Sequence, residues 1–459
     1  MNVQSRGVFS LIKARADVFY HSTSYMVIVA VVAMLGLVFE YEVAAIFVLA
    51  ALALGSWLLV EDILPSFLIV TVIGLIGLRI PREGMYHFTP LYYTPIVMVP
   101  GFIIKMFIHP FKFIKGTFFY PTLAVAVAIV LGGLFVISFE AYFAFRTLYY
   151  TFFLGPGMVF IYFVLERYVE KREDIADYFA KMMVAVGVVG FFMLFSSYYM
   201  RFGGLDDFEL GRFFQWRNNL SNNLLMSMPF AFYLAYKARW SGFYIMVGTL
   251  QFVALVFSFS RGGIIFGLLA YPLTVLATLI VAKGHRLKIF TIVVIITGLM
   301  YYFFEEWVIP VSEIIADLRA RVTVSSDEAR ANLYRMAWEN FKTYPVFGTG
   351  LGFDVSDHYN PKTMSMHWYH STFFQIIGSL GIVGLIAYTY QGIVRTYSLI
   401  KVRHVFNLFV ALSMLGFGGY QMVNVGYFAP LPFVAMVVTM FVVVDRNNAV
   451  QLDKIKDAV

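Results

Sequence analysis

The chain has 459 residues, of which 60% are hydrophobic and only 13% are charged, and its mean hydropathy is +0.77. Such a composition leaves too little polar surface to cover a water-soluble globule, so it indicates a membrane protein with several spans. The absence of cysteine excludes disulfides, thiolate metal sites and cysteine nucleophiles. The net charge of +7 is explained by basic cytoplasmic loops, and no nucleic-acid partner is needed to account for it.

Apolar segments of roughly 17–24 residues, the length that crosses a bilayer, recur along the whole chain. We therefore predict an all-α fold with about 12–14 transmembrane helices, arranged as a single membrane domain over residues 1–459. The predicted spans lie near 24–39, 42–60, 63–78, 91–109, 120–139, 147–165, 182–200, 219–236, 242–259, 262–282, 287–304, 371–394, 404–424 and 427–445. The first of them is interpreted as a retained span because no small-residue cleavage site follows it.

The basic loops predict how these spans are oriented. Under the positive-inside rule, the basic residues near the N-terminus place it in the cytoplasm: Arg6, Lys13 and Arg15. Alternation then places five later basic loops inside as well: Lys112 and Lys115; Arg167, Lys171 and Arg172; Lys237 and Arg239; Lys283, Arg286 and Lys288; Arg395, Lys401 and Arg403. A short loop with Arg79 and Arg82 breaks the rule. Both termini are therefore predicted to be cytoplasmic, and residues 201–218 and 305–370 to lie outside.

The extracytoplasmic loop, residues 305–370, is the only long hydrophilic stretch and is predicted to contain two helices. Apolar residues at helical spacing between 311 and 322 indicate a helix along the membrane surface. A capping-box pattern starts a second helix at Ser325, which runs to about Tyr344. The apolar stripe of this second helix consists of Leu333, Tyr334, Ala337 and Phe341. Arg330 lies in the middle of that stripe, whereas Arg335 lies on the polar side. Arg330 thus either snorkels or pairs with a carboxylate, or it binds phosphate, for which a guanidinium is well suited.

The end of the same loop offers a glycine cluster and a histidine. Gly348 and Gly350 follow a proline, and such a cluster forms either an ordinary turn or a cradle whose N–H groups bind phosphate. His370 begins the next span, where it is either an interfacial residue or a group that accepts a proton at neutral pH. The polar residues between them show no convergent metal-site geometry, and no metal site is predicted: Asp354, Asp357 and His358.

A third cationic candidate, Arg261, lies in Ser260-Arg261-Gly262-Gly263 at the outer end of its span. It is either a loop arginine in a tight turn or a functional charge at the membrane edge, with backbone packed closely around it. Arg261, Arg330 and His370 are thus predicted to share one face of the membrane. The alternative function, a polysaccharide transporter or flippase, would concentrate charge near the bilayer midplane in repeated halves, and neither feature is evident.

The pattern over residues 212–395 resembles the O-antigen ligase and O-antigen polymerase family of bacterial envelope glycosyltransferases. The elements that carry the resemblance are Arg330, Tyr334, Pro345, Gly348, Gly350, His370-Ser371 and Gly381-Ile382-Val383-Gly384-Leu385, together with Ser260-Arg261-Gly262 and, earlier, Arg212, Arg217, Asn218 and Asn219. The sequence departs from the family pattern at two positions. Tyr334 stands where tryptophan is usual, and Ser371 stands where asparagine is frequent.

The resemblance implies an enzyme of the bacterial cytoplasmic membrane that transfers a glycan from a polyprenyl-diphosphate-linked donor to a hydroxyl of a glycan or lipid-linked acceptor. It implies that Arg261 and Arg330 stabilise the leaving diphosphate, that His370 takes up or orients the acceptor proton, and that Arg212 and Arg217 contact the donor. Cofactors, nucleotide sugars and metals are not expected. Membrane lipid, which surrounds the protein, is the other expected partner. Whether the product is a polymerised chain or a ligated one is left open.

Overall fold

The computed structural model describes residues 3–78, 89–136, 142–143, 145–201, 217–237, 239–307, 324–351 and 368–457. The first nine helices are α1 (Val3–Tyr20), α2 (Thr23–Val38), α3 (Glu42–Leu59), α4 (Leu64–Leu78), α5 (Thr89–Ile108), α6 (Phe119–Leu131), α7 (Phe145–Leu154), α8 (Pro156–Tyr168) and α9 (Ile175–Arg201). The others are α10 (Arg217–Lys237), α11 (Ser241–Phe257), α12 (Arg261–Val281), α13 (Arg286–Trp307), α14 (Val324–Thr343), α15 (Thr372–Lys401), α16 (Val405–Tyr420) and α17 (Ala435–Asp457). No β-strand occurs in these ranges, so the predicted all-α fold is confirmed.

The helices have the lengths and composition of membrane spans. Within the described ranges, eight helices are long and apolar enough to cross a bilayer, or nine if the pair Ser10–Tyr20 and Thr23–Val38, which is bent by 67°, forms one span. Four shorter apolar helices join them: Leu64–Gly77, Met98–Ile108, Phe119–Leu131 and Ser241–Phe257. Each predicted span contains a helix. The protein is a multi-pass membrane protein.

Several predicted spans differ from the observed helices, and three of them show why. The span predicted at 120–139 ends at Leu131, where a turn through Gly132 and Gly133 stops the helix. The span predicted at 371–394 continues to Lys401, so the prediction that Arg395 belongs to a loop is wrong. The last span begins only at Ala435, after an irregular segment of short turns from Gln421 to Val434. The length of an apolar run therefore identifies the spans but not all of their ends.

Helix α10 lies at the centre of the bundle. Every residue from Leu220 to Ala235 is buried, and the helix packs against α9, α11, α12 and α16. Its polar first half makes its hydropathy too low for a typical span. In an apolar interior such polar side chains need partners within the protein. Buried polar residues inside a membrane domain therefore indicate a functional site in this half of α10.

Several of the loops predicted to be cytoplasmic contact neighbouring helices at one end of the bundle. Lys237, at the end of α10, donates to Asp177 at 2.6 Å, and Arg446 of α17 donates to Glu166 at 2.9 Å. The start of α10, the start of α12 and the start of α15 lie at the other end. This arrangement agrees with the predicted alternation of the loops, while the orientation of the termini stays a prediction.

Candidate active site

The N-terminal turns of α10 hold the first part of the site. Arg217 is the first residue of the helix and is half-buried, and a run of buried polar residues follows it. One of these, Asn222, accepts a hydrogen bond at 2.7 Å from the side-chain amide of Gln421, which directly follows α16. The backbone carbonyl of Arg217 accepts from Ser221 at 3.0 Å. The bond from Gln421 holds the start of α10 against the end of α16.

The start of α12 carries Arg261 and lies against the same two helices. Ser260 caps the helix, with its hydroxyl accepting from the backbone N–H of Gly263. A Cβ at Gly262 would come within 2.8 Å of the Tyr420 ring, and one at Gly263 within 2.5 Å of the Ser221 hydroxyl. Only glycine allows this approach. The structure thus has close packing at the two glycines after Arg261, while a functional role of Arg261 stays a prediction.

The hydroxyl of Tyr420, at the C-terminal end of α16, joins these elements. It lies 2.8 Å from the Ser260 hydroxyl and donates to the side-chain carbonyl of Asn218 at 2.9 Å. The charges of Arg217 and Arg330 both act on this hydroxyl electrostatically. Arg217 and Arg330 therefore lie within electrostatic reach of one buried tyrosine, and Arg261 directly follows a residue that contacts it.

Helix α14 presents Arg330 as its sequence predicts. Ala337, in the apolar stripe, is fully buried, and Arg330 is half-buried. Arg335 is exposed and donates to Asn332 on its own helix at 3.2 Å. The two arginines of this helix are therefore in different environments, and the predicted orientation is confirmed.

Tyr334 docks α14, the helix that carries Arg330, on the start of α15 beside His370. Its ring stacks on Phe374, with centroids 4.4 Å apart and planes 9° apart, and its hydroxyl is 3.4 Å from the backbone carbonyl of His370, to which it donates. Burial raises the pKa of Tyr334, and the charge of Arg330 acts in the opposite direction. A second contact is the 2.7 Å hydrogen bond from Asn340 to the hydroxyl of Tyr369.

His370 has a strained backbone and an exposed side chain. Its φ is +53°, a left-handed value that costs free energy for a residue other than glycine. Phe259, next to Ser260, has a φ of +51°. A residue with left-handed backbone therefore lies at the start of each of two candidate segments, Phe259 before Ser260-Arg261 and His370 before α15. Strain of this kind is typical of sites whose geometry is fixed by the surrounding structure.

The glycine turn, residues 345–350, packs against a break in α15. At Gly381, φ is +62° and the helix is interrupted. The N–H groups of Thr349 and Gly350 donate to the carbonyls of Gly378 and Ser379, both at 2.9 Å, and the N–H of Gly348 donates to Tyr344 at 3.0 Å. These amides are engaged within the protein. A substrate contact by Gly348 and Gly350 stays a prediction.

Several predicted features lie outside the described residues. They are Arg212, the surface helix at 311–322, and the candidate metal ligands Asp354, Asp357 and His358.

One known family matches the part of the chain that holds three of the candidate residues. A family model described as O-antigen ligase matches residues 245–389, the part of the chain that holds Arg261, Arg330 and His370. The chain carries an O-antigen ligase domain. This match supports an O-antigen ligase or polymerase type of glycosyl transfer for this membrane protein. Searches of curated proteins and of solved structures found no match.

The site extends beyond the O-antigen ligase domain on both sides. Arg217 and Asn218 precede the matched residues and Tyr420 follows them. The sequence analysis did not single out Tyr420, because a tyrosine at a span end is ordinary in a chain with 30 tyrosines. The sequence does contain one feature that indicates this part of the site: asparagines and serines occupy the first turns of the span that forms α10.

Proposed function

We propose that this protein transfers a glycan from a polyprenyl-diphosphate-linked donor to a sugar hydroxyl at the outer face of the bacterial cytoplasmic membrane, as a polymerase or a ligase. The observation that supports this best is that Arg217 and Arg330 act electrostatically on Tyr420, whose hydroxyl contacts Ser260, the residue before Arg261. The site lies at the end of the bundle opposite the basic loops.

The cationic cluster suits the leaving group of this reaction. When the bond between the anomeric carbon and the diphosphate oxygen breaks, the electron pair leaves with the diphosphate and negative charge develops there. Guanidinium groups already in place stabilise that charge without reorganisation. The N-termini of α10 and α12 also meet here, and their backbone dipoles favour an anion. We assign Arg261 and Arg330 to the departing diphosphate, and Arg217 and Arg212 to donor binding.

His370 is assigned to the acceptor. As the acceptor oxygen bonds to the anomeric carbon, it loses a proton, which the imidazole of His370 accepts or orients. The exposed side chain allows an acceptor to approach from outside, and Tyr334 holds this residue beside the helix that carries Arg330. We further propose that transfer needs no metal and that Gly348 and Gly350 line the donor site.

Single alanine variants at four positions test the assignment: Arg217, Arg261, Arg330 and His370. Transfer is measured with membranes that contain the variant and lipid-linked glycan prepared from the source cells, in buffer with and without EDTA. Each variant is expected to lower the rate by roughly a hundredfold or more, the usual effect of removing a group that stabilises a transition state. Loss of transfer in EDTA would contradict metal independence.

Two matched controls separate the site from general damage. Arg335→Ala removes the exposed arginine of α14, and His285→Ala removes an exposed histidine at the other end of the bundle. Both are expected to keep the wild-type rate. If the four site variants are inserted normally and also keep it, the proposed mechanism is wrong.

A further inference from the structure

Arg395 is a charged residue inside the membrane domain for which the transfer reaction has no use. It lies in α15, six positions before the helix ends at Lys401, close to the end of the bundle with the basic loops. Its guanidinium carbon is 5.2 Å from the ring centre of Phe441 and 5.9 Å from that of Tyr427. Cation–π contacts compensate only part of the cost of removing a guanidinium from water.

No described carboxylate supplies the missing negative charge. The groups that act electrostatically on Arg395 are the phenols of Tyr388 and Tyr427. Asp445 lies one turn beyond Phe441 on α17, but it accepts a hydrogen bond from Thr117 at 2.9 Å and is not among these groups. A charge placed this way in a membrane favours an external anion as its partner.

Arg395 faces a crevice between α6, α15 and α17 that has room for one water-sized group. Its lining is Phe118, Thr122, Gln391, Arg395, Val438 and Phe441. The hydroxyl, amide and guanidinium groups provide donors for an oxygen atom, and the remaining walls are apolar. Space of this size and polarity fits a single phosphate oxygen.

The surroundings of the crevice are lipid-facing and basic. Tyr120 on α6 is 60% exposed and Ile393 on α15 is 63% exposed, as expected of side chains that contact acyl chains. Lys115 lies just before α6, with its ammonium 5.4 Å from the ring centre of Phe119, the residue after Phe118 of the crevice. Basic residues at this level attract anionic headgroups.

We propose that this crevice binds the phosphate of an anionic phospholipid from the leaflet on the side of the basic loops, with Arg395 as its main contact and Thr122 and Gln391 as further donors. The site is separate from the transfer site and does not depend on the proposed reaction. A bound lipid would fasten α6, α15 and α17 together.

Lipid binding is measured with the purified full-length protein in a neutral detergent. Short-chain phosphatidylglycerol is titrated while the melting temperature is followed, and native mass spectrometry counts the bound lipids. The apparent Kd is expected to be roughly tenfold weaker in Arg395→Met, because a charge-assisted hydrogen bond is lost, and to weaken less in Gln391→Leu. Arg403→Met, which removes an exposed arginine eight positions later, is expected to bind as the wild type does.

Two further probes distinguish the source of the phosphate. Phosphatidylcholine, which is zwitterionic, and inorganic phosphate are each expected to stabilise the protein less than phosphatidylglycerol at equal concentration. Equal stabilisation by inorganic phosphate would overturn the assignment to a lipid. If Arg395→Met does not accumulate, Gln391→Leu decides, and lipid binding that is unchanged in that variant would show that the crevice is not the site.

Discussion

The hydroxyls of Tyr420 and Ser260 lie 2.8 Å apart, although 160 positions separate the two residues in the chain. Tyr420 ends α16 and Ser260 caps α12, so this contact sets where the N-terminus of α12, and with it Arg261, lies in the bundle. The same hydroxyl donates to Asn218, one position after Arg217. One phenol therefore determines the spacing between two of the arginines assigned to the donor.

Tyr420→Phe is expected to weaken transfer through positioning. The substitution removes the hydroxyl and leaves Ser260 and Asn218 without that partner, at a cost of about 1–3 kcal/mol. We expect roughly tenfold slower transfer and a lower melting temperature. Tyr271→Phe is the control, because it removes a buried hydroxyl that is remote from the site and lies 3.1 Å from the Thr249 hydroxyl. This variant should lower the melting temperature without slowing transfer. Wild-type transfer by Tyr420→Phe would show that this hydroxyl does not position the arginines.

Gly381 is expected to tolerate no side chain. Its φ of +62° is strained for any other residue, and a Cβ there would lie 2.5 Å from the carbonyl oxygen of Val346 in the glycine turn. Gly381→Ala should destabilise the protein by about 1–3 kcal/mol, seen as a lower melting temperature.

Gly392 provides the control for this prediction because it lies in the same helix with open space around its Cα. Gly392→Ala should leave the melting temperature unchanged or raise it slightly, since alanine favours the helix. Equal effects of the two substitutions would contradict the role of the break in α15.

His21 is expected to make stability depend on pH. It lies in the turn before the first span, with its Nε2 2.9 Å from the buried carboxylate of Asp62. Burial alone lowers the pKa of His21, but the hydrogen bond and charge of Asp62, together with Asp17, outweigh burial and the opposing charge of Arg172, so the pKa is raised. A raised folded-state pKa gives a stabilisation that is complete below the unfolded value of about 6.5 and is lost as the pH rises through the folded value.

The melting temperature in detergent should therefore contain a component that falls as the pH is raised above about 6.5. His21→Gln should remove this component, and His285→Gln, in an exposed turn, should keep it. Because other groups titrate in the same range, the relevant quantity is the difference between each variant and the wild type. An identical pH profile in His21→Gln would contradict the prediction.

The sequence predicted the fold better than the site because the two depend on different kinds of contact. Spans follow from the length of apolar runs, and the inward face of α14 follows from helical periodicity, which also distinguishes half-buried Arg330 from exposed Arg335. The contacts of Tyr420 join residues 160 and 202 positions apart, and no local pattern specifies them. Arg395 was assigned to a loop because a charge normally ends a span, whereas here Tyr427 and Phe441 accommodate it inside the helix bundle.

The stack between Tyr334 and Phe374 is expected to be required for transfer, because it docks the helix of Arg330 on the segment that carries His370. Tyr334→Trp and Tyr334→Phe keep an aromatic ring over Phe374 and should retain most of the activity, in line with the tryptophan that the resembled family usually has here. Tyr334→Ala loses a ring pair worth about 0.5–1.5 kcal/mol beyond its buried area, so roughly tenfold slower transfer is expected. The rate is measured in membranes with equal amounts of inserted protein. Trp338→Ala, on the same helix at a position that is 45% exposed, serves as the control and should transfer normally. A rate for Tyr334→Ala equal to that of this control would mean that α14 holds its place without the stack.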